Sequence, residues 1–370
     1  MPKTKHNNPP SKALVLMPGL LGESVMATAT LDALRAAWPD AHITVLVKRK
    51  LRPVLYGLDS VDRVLSIRKR LADGEGKRKS RGRASLIRLG RRLSRGGFDA
   101  AVILPNSFKA AALAAVAGIP RRVGYERDGR GVLLTDRLIP RRHRGAFVPV
   151  PTLDAYLGIA RYLGAERPSP AMHQRVRPES EAQLRERLAG AGIDADHAEL
   201  MLVNPGAPKS SRRWSPRRMA HLCELMVERF GVTPVVTGTP NERDAVGQLL
   251  DRATVPIIDL PELGTDLHLL KAMIARSRMM VTNDTGPRHL AAALGTPLLT
   301  LFGPTVPQWS AIDFADEQQA VADGISVAAR DDPEFEGPAS LDRLHADNVF
   351  MQACALYQRT RSRRPAGAGV

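Results

Sequence analysis

"ALVLMPGLLGESVMATATLDALRAAWP" spans residues 13–39. An apolar β-type run (13–17) enters a Pro/Gly loop, and a helical pattern (23–37) follows at once. A strand, a glycine loop and a helix in that order open the nucleotide-binding doubly wound folds. The spacing nevertheless departs from the dinucleotide fingerprint. Gly19 and Gly22 give G-x-x-G, whereas closing a backbone around a pyrophosphate takes G-x-G-x-x-G. The next β-type run, "HITVLVKRK" (42–50), ends in base where a ribose-holding acid would stand. The segment therefore reads as α/β with a loop that serves another purpose, and it leaves Glu23, the carboxylate at the helix start, to be explained.

The same alternation runs along the chain. Further strand patterns lie at 42–47, 62–66, 100–105 and 121–124, with helical patterns at 84–95, 107–117 and 152–164. A second series follows: strand 200–204 and helix 216–230, strand 233–238 and helix 241–252, strand 257–260 and helix 265–277, strand 279–283 and helix 287–294. Residues 297–303 read as a last strand. Strands and helices joined by short loops imply parallel sheets covered on both faces. The polar, helix-forming stretch 168–198 separates the two series. The reading is two Rossmann-like doubly wound domains facing across a cleft, 13–175 and 176–340, then a helix at 341–358, with terminal tails 1–12 and 359–370. Ligands in such sheets bind beyond the carboxyl ends of the strands, which directs attention to loops 18–23, 105–109, 204–213, 238–242 and 283–289.

Composition narrows the classes. The 370 residues are 44% hydrophobic, ample for two cores, and carry a formal charge of +16. That charge is concentrated. Residues 63–97 hold 13 Lys/Arg against Asp73 and Glu75, and "RTRSRR" (359–364) adds four, so the remaining chain is nearly neutral. A basic insertion and a basic tail suit an anionic surface. The run has no aromatic residue for base stacking, which argues against specific nucleic-acid binding. Within the insertion Leu86, Leu89 and Leu93 share one helical face, available either to a membrane or to the first domain's core. Cys223 and Cys354 form no disulfide or metal-ligand pattern and suit a reducing compartment. No apolar run reaches membrane-span length, and the amino-terminal segment is a poor signal peptide. A cytoplasmic protein is expected.

Two loops carry most of the chemistry. In "VTNDTGPRHLAAALGTPLLTLFGPT" (281–305) a strand ends in Asn283-Asp284-Thr285-Gly286 and a helix starts. Helix-start amides with a glycine for close approach make an anion site. Asp284, Thr285 and His289 can reach a ligand there. Capping by Asp284 or Thr285, with Pro287 in the first turn, accounts for those residues but leaves His289 and Gly286 unused. In "VNPGAPKSSRRWSPRRMAHL" (203–222), Lys209, Arg212 and Arg213 gather at a strand end, suiting a diphosphate.

Taken with "FDAAVILPNSFKAAALAAVAGIPRRVGY" (98–125), these loops resemble the ADP-heptose–lipopolysaccharide heptosyltransferase family over roughly residues 13–310. "NDTGPRHLAAALGTPLLTLFGPT" is similar to its N-D-[ST]-G-x-x-H signature, "NPGA…RRW" to its P-G-A…[KR]-R-W segment, and "LPNSFK" with "AGIP" to the heptosyltransferase II branch. The resemblance implies a GT-B fold and inverting transfer of a heptose, or a related sugar, from an ADP-sugar to an anionic glycolipid acceptor. It implies no metal or other cofactor. It places Lys209 or Arg212 at the diphosphate, Thr285 and Gly286 at phosphate, Asp284 and His289 at the donor sugar, and Glu242 or its neighbour Asp244 at the ribose. Asn106 and Lys109 fall on the acceptor side. Arg288, where relatives carry an apolar residue, adds positive charge by this reading. The family's first loop ends in Gly-Asp, the Asp serving as general base; Glu23 stands there here. That departure fits a base of shifted geometry, a different acceptor or lost activity, and helix-start amides are expected to favour its ionised form. A literal D-x-D at 194–196 lies in the polar stretch and is not read as a metal site. The expectation is a monomeric enzyme held peripherally on the inner, anionic face of the plasma membrane.

Overall fold

A computed structural model describes residues 8–67, 79–144, 146–148, 150–303, 307–322 and 341–362. The chain divides into two compact units, Met1–Met172 and His173–Val370. In unit 1, strands β1 (Lys12–Leu16), β2 (His42–Lys48), β3 (Arg63–Ile67), β4 (Ala100–Ile103), β5 (Arg121–Tyr125) and β6 (Asp136–Leu138) form one parallel sheet in the order 3-2-1-4-5-6. Helices α1 (Leu21–Ala37), α2 (Lys79–Ser94), α3 (Phe108–Val116) and α4 (Thr152–Tyr162) belong to this unit, and a two-strand hairpin, β7 (Arg142–His143) with β8 (Ala146–Phe147), follows β6. Unit 2 repeats the plan. Its strands β9 (Leu200–Asn204), β10 (Thr233–Val236), β11 (Ile258–Asp259), β12 (Met279–Asn283), β13 (Leu298–Phe302) and β14 (Glu317–Val321) are again parallel and again in 3-2-1-4-5-6 order. Its helices are α5 (Pro178–Gly190), α6 (Pro216–Phe230), α7 (Arg243–Leu250), α8 (Leu267–Arg276), α9 (Gly286–Leu294) and α10 (Ala346–Thr360). The expected pair of doubly wound α/β sheets is what the chain forms.

Local sequence explains the elements. The central strands β1, β4, β9, β12 and β13 are almost continuously apolar and buried, as strands covered on both faces must be. α1 is rich in small residues and packs on α4, with 11 of its 17 residues buried. α6 and α9 both end in a left-handed glycine, Gly231 at φ 65° and Gly295 at φ 75°, the conformation a glycine stop permits. Trp214 is fully buried in the core of unit 2 beside Met201, Met219 and Leu299. α10 packs on α6 and adds Val349, Ala353, Leu356 and Tyr357 to the same core.

Two expectations change and one open alternative closes. Residues 297–303 are not the last strand: β14 pairs with β13 along its length. Its sequence, "EQQAV", buries only Ala320 fully, so an edge strand without apolar alternation left no pattern to read. The helix expected at 241–252 opens as a 3-10 turn, Pro240–Glu242, whose Thr239 and Glu242 form a reciprocal capping box before α7. The leucine stripe of α2 faces inward, with Leu93 buried and Leu86 and Leu89 packed on the unit 1 core, so it is not a free membrane face. Of the basic insertion at 63–97 expected to meet an anionic surface, residues 68–78 lie outside the described residues, as do the end of the tail at 363–370 and Pro304 and Thr305 of the signature. No helix among the described residues is long and apolar enough to cross a membrane.

Candidate active site

In 3-2-1-4-5-6 sheets the chain reverses its winding between the first and fourth strands, and the loops leaving those two strands open a crevice. In unit 2 the strands are β9 and β12, hydrogen-bonded neighbours in which Asn204 lies opposite Thr282. Both end in asparagine, and the two amides lace the loops together. Asn204 donates to the hydroxyls of Thr282 (3.1 Å) and Thr285 (3.0 Å) and accepts from the Gly206 amide (3.3 Å). Asn283 donates to the carbonyls of Pro205 (3.0 Å) and Gly206 (3.2 Å) and accepts from the Trp214 amide (3.1 Å). Both side chains are buried, so their polar groups demand partners. Neither was singled out from the sequence. The signal was present in two strands that each end in Asn before a Pro/Gly or Asp/Thr/Gly loop.

The start of α9 lies in this frame. Thr285 is its N-cap residue in extended conformation, yet no side chain caps the helix. Its hydroxyl is engaged by Asn204 instead. Capping therefore does not explain Asp284 and Thr285, and an uncapped helix start with Gly286 at its first position is the arrangement that receives an anion. Asp284 accepts from Arg288 Nη1 (3.0 Å) and Ser310 Oγ (2.9 Å). His289 is almost wholly buried; burial first, then the Arg288 charge, push its pKa down to about 3, so the ring is neutral. Its Nδ1 has no hydrogen-bond partner among the described residues. Arg288 supplies no positive charge to solvent or ligand, contrary to expectation. Its guanidinium is fully buried and spent on Glu317 and Asp284.

The neighbouring loops complete the set. Glu242 lies against Gly206, where an added Cβ would sit 2.3 Å from its carboxyl carbon. One Glu242 oxygen accepts from the amide (2.9 Å) and hydroxyl (2.7 Å) of Thr239. Asp244 instead accepts from Gln248 along α7 (3.0 Å), so of the two acids Glu242 is the one at the Pro-Gly-Ala loop. Arg213 Nε holds the Ala207 carbonyl (2.9 Å), while Lys209 and Arg212 are exposed on the 3-10 turn that follows.

In unit 1 the corresponding strands are β1 and β4, and the chemistry differs. The 17–20 loop leads into α1, whose N-cap residue, Leu20, is exposed and makes no side-chain cap. Ser24 Oγ donates to the Pro18 carbonyl (3.1 Å) and fixes the turn. Glu23 is half-buried, and burial raises its pKa while the Lys48 ammonium pulls it back down. The expectation that helix-start amides dominate its ionisation is thus reversed, because loss of hydration outweighs them. Lys48, from the end of β2, lies over Gly19: a Cβ there would meet its Nζ at 2.6 Å. Tyr156 of α4 is buried, and its phenol is pushed up by burial and by the Glu23 charge.

Beyond β4, Asn106 is held by a residue the sequence reading missed. Arg130 is fully buried and donates to the carbonyls of Tyr125 (2.7 Å) and Pro105 and to Asn106 Oδ1 (2.9 Å). Burial lowers its pKa to about 10, still far above neutral pH. A cavity of about 310 Å³ opens at the carboxyl ends of β1–β4, small but within the range of ligand sites. Its walls include Met17, Leu46, Leu86 and Leu113, and Lys48 and Lys109 border it. The structure thus groups Glu23 with Lys48 and Tyr156, and Lys109 with the cavity. The D-x-D is elsewhere: Asp194 binds His197 Nδ1 (2.7 Å) and Asp196 meets Arg185 (3.2 Å).

Fold and site together define a two-unit Rossmann-like protein with an uncapped helix start at the reversal point of one unit and a half-buried carboxylate at that of the other. Comparison with known sequences identifies the group: the sequence model of glycosyltransferase family 9 (heptosyltransferase) matches residues 86–338, and the chain belongs to that family of transferase enzymes. The chain is 27% identical to lipopolysaccharide heptosyltransferase 2 of Escherichia coli over 309 residues, covering 81% of this chain and 84% of the relative. It is also 27% identical to lipooligosaccharide heptosyltransferase 2 of Haemophilus ducreyi over 312 residues, with 81% and 85% covered. Among solved structures, a family 9 glycosyl transferase from Veillonella parvula aligns with TM-score 0.79 at 22% identity, over 94% of this chain and 97% of the other. E. coli ADP-heptose lps heptosyltransferase II aligns with TM-score 0.76 at 23% identity, over 95% and 99%. At those identities the structural likeness speaks for the fold.

Proposed function

We propose that this enzyme transfers a heptose from ADP-heptose to a lipopolysaccharide-core-type, lipid-linked acceptor with inversion at the anomeric carbon. The family membership supports heptosyl transfer. The observation that carries the donor site is the Asn204–Asn283 lacing, which sets the uncapped start of α9 beside the Pro-Gly-Ala loop. In this reading the Gly286 amide and Thr285 meet phosphate, with Lys209 or Arg212 supplying the charge that a metal supplies elsewhere. Glu242 accepts from the ribose, and Asp284 with neutral His289 meets the sugar. Glu23 takes the proton of the acceptor hydroxyl as its oxygen bonds to the anomeric carbon and the carbon–phosphate-oxygen bond breaks, releasing ADP. A raised pKa suits that role, since a base is most effective when its pKa approaches the working pH. Asn106, Lys109 and the cavity belong to the acceptor side. The enzyme acts as a monomer on the anionic inner face of the plasma membrane.

The test pairs thermal-shift titration of ADP, UDP and GDP with an ADP-release assay on ADP-heptose and a lipid-linked core acceptor, reading product anomeric configuration by NMR. Selective stabilisation by ADP and an inverted product are expected. No nucleotide response, or a product with retained configuration, would overturn the reading.

A further inference from the structure

Arg288 sits one residue after Pro287 in the first turn of α9, with 0% of its surface exposed. Its Nε and Nη2 straddle the two carboxylate oxygens of Glu317 at 2.6 and 3.0 Å. Its Nη1 donates to Asp284 Oδ1 (3.0 Å) and to the Ser310 carbonyl (2.7 Å), and the guanidinium carbon lies 5.0 Å from the centroid of Phe302. Glu317 also accepts from Thr300 Oγ1 (2.6 Å) and Gln319 Nε2 (2.9 Å). One buried side chain therefore ties α9, β14, the 3-10 turn Pro307–Ser310 and the loop after β12 to a single centre.

For stability alone this is an expensive arrangement. Burying a guanidinium and a carboxylate costs both their hydration, and an apolar pair of similar volume is often as stable. The hydrogen bonds point to a different use. A carboxylate offers about four lone-pair sites; Arg288 takes one on Asp284 Oδ1, and Ser310 Oγ takes one on Oδ2. Asp284 is thereby fixed in one rotamer with acceptor capacity left on both oxygens. An aspartate held in this way can accept from hydroxyl groups of a bound sugar without first losing side-chain freedom.

We infer that Arg288 is a positioning residue, which with Glu317 holds Asp284 in the orientation that recognises the sugar of the nucleotide-sugar donor. The inference rests on the reading of Asp284 as sugar-facing. The hydrogen bonds of Arg288 go to Asp284, Glu317 and Ser310 and not to Thr285, Gly286 or Glu242, so its loss should separate affinity for the nucleotide-sugar from affinity for the nucleotide.

The experiment is calorimetric titration of ADP and of ADP-heptose into the full-length protein and five variants: Asp284→Asn, Arg288→Lys, Arg288→Met, Arg288→Met with Glu317→Gln, and that double variant with Asp284→Asn added. The double variant removes the buried ion pair as a unit and keeps neutral, well-filled space. Arg288→Lys keeps the charge and loses the fork. Expected are an ADP affinity within about twofold of wild type and a fall of about tenfold or more for ADP-heptose in the double variant, with a smaller fall in Arg288→Lys. Adding Asp284→Asn to the double variant should cost little more, as residues acting through one contact are non-additive. Equal losses for ADP and ADP-heptose, or none for either, in whichever of the double and Arg288→Lys variants melts cooperatively would overturn the inference. If Asp284→Asn leaves ADP-heptose binding unchanged, the sugar-facing reading of Asp284 fails with it. If Asp284→Asn weakens ADP-heptose while the Arg288 variants do not, only the positioning role fails.

Discussion

The two units share a strand order but are finished differently at their reversal points. In unit 2 the loops leaving β9 and β12 are laced by two buried asparagines, and the start of α9 is left without a side-chain cap. In unit 1 the loops leaving β1 and β4 border a largely apolar cavity edged by Lys48, Lys109 and Ser107, and the β1 loop leads into a half-buried carboxylate, Glu23. Neutral amides with their hydrogen bonds satisfied make a fixed edge that carries no titrating proton. A half-buried carboxylate beside a lysine titrates, with burial raising its pKa and the lysine lowering it. One topology thus carries laced asparagines at its reversal point in one unit and a half-buried carboxylate beside a lysine in the other, set by which side chains end the strands.

The contrast is broken most severely at Glu23. Glu23→Gln should lower turnover by about 10²–10⁴-fold, the usual worth of positioned proton transfer, measured by ADP release at saturating donor. Glu23→Asp should keep more activity than the glutamine variant. Because burial raises the Glu23 pKa, its ionised form is less comfortable folded than unfolded, and its contribution to stability declines as pH rises through that range and stays lower above it. The glutamine variant should therefore melt no lower than wild type at pH 8. A large loss of stability would mean that Glu23 serves the fold.

Next in size is the lacing. Asn283→Ala strands the Trp214 amide and the Pro205 and Gly206 carbonyls, and an unsatisfied buried group costs roughly 1–3 kcal/mol. Urea unfolding should register a loss in that range, with weakened ADP binding. A neutral result would mean that backbone contacts alone shape the loops.

Gly206→Ala is milder. The new Cβ would displace the Glu242 carboxylate and its contacts with Thr239, and ADP affinity should fall about tenfold, equivalent to 1.4 kcal/mol. The rate at saturating donor should be nearly unchanged. Lys48→Met should have the smallest effect, a displacement of the acid limb of the kcat/KM–pH profile. Lys48 lowers the Glu23 pKa, so its removal should move that limb to higher pH. Movement to lower pH would rule out Glu23 as the titrating base.

The sequence revealed the repeated fold because the central strands are buried on both faces and their runs are unbroken. β14 escaped because an edge strand buries little, and "EQQAV" carries no apolar alternation. Site loops were legible where glycine and proline punctuate a strand end. Their internal wiring was not, because Asn204, Asn283 and Arg130 act chiefly through partners from 24 to 81 residues away, a range no local pattern reports. Arg288 shows the reverse case. Its charge was legible and its use was misread, since nothing in "GPRHL" announces a buried carboxylate 29 residues on.

The division of labour is tested most directly by hydrogen exchange of the whole protein with and without saturating ADP. Slowed exchange is expected in residues 204–213 and 283–289, with residues 18–23 and 105–109 unchanged. Protection confined to the unit 1 loops, with 283–289 unaffected, would contradict the account.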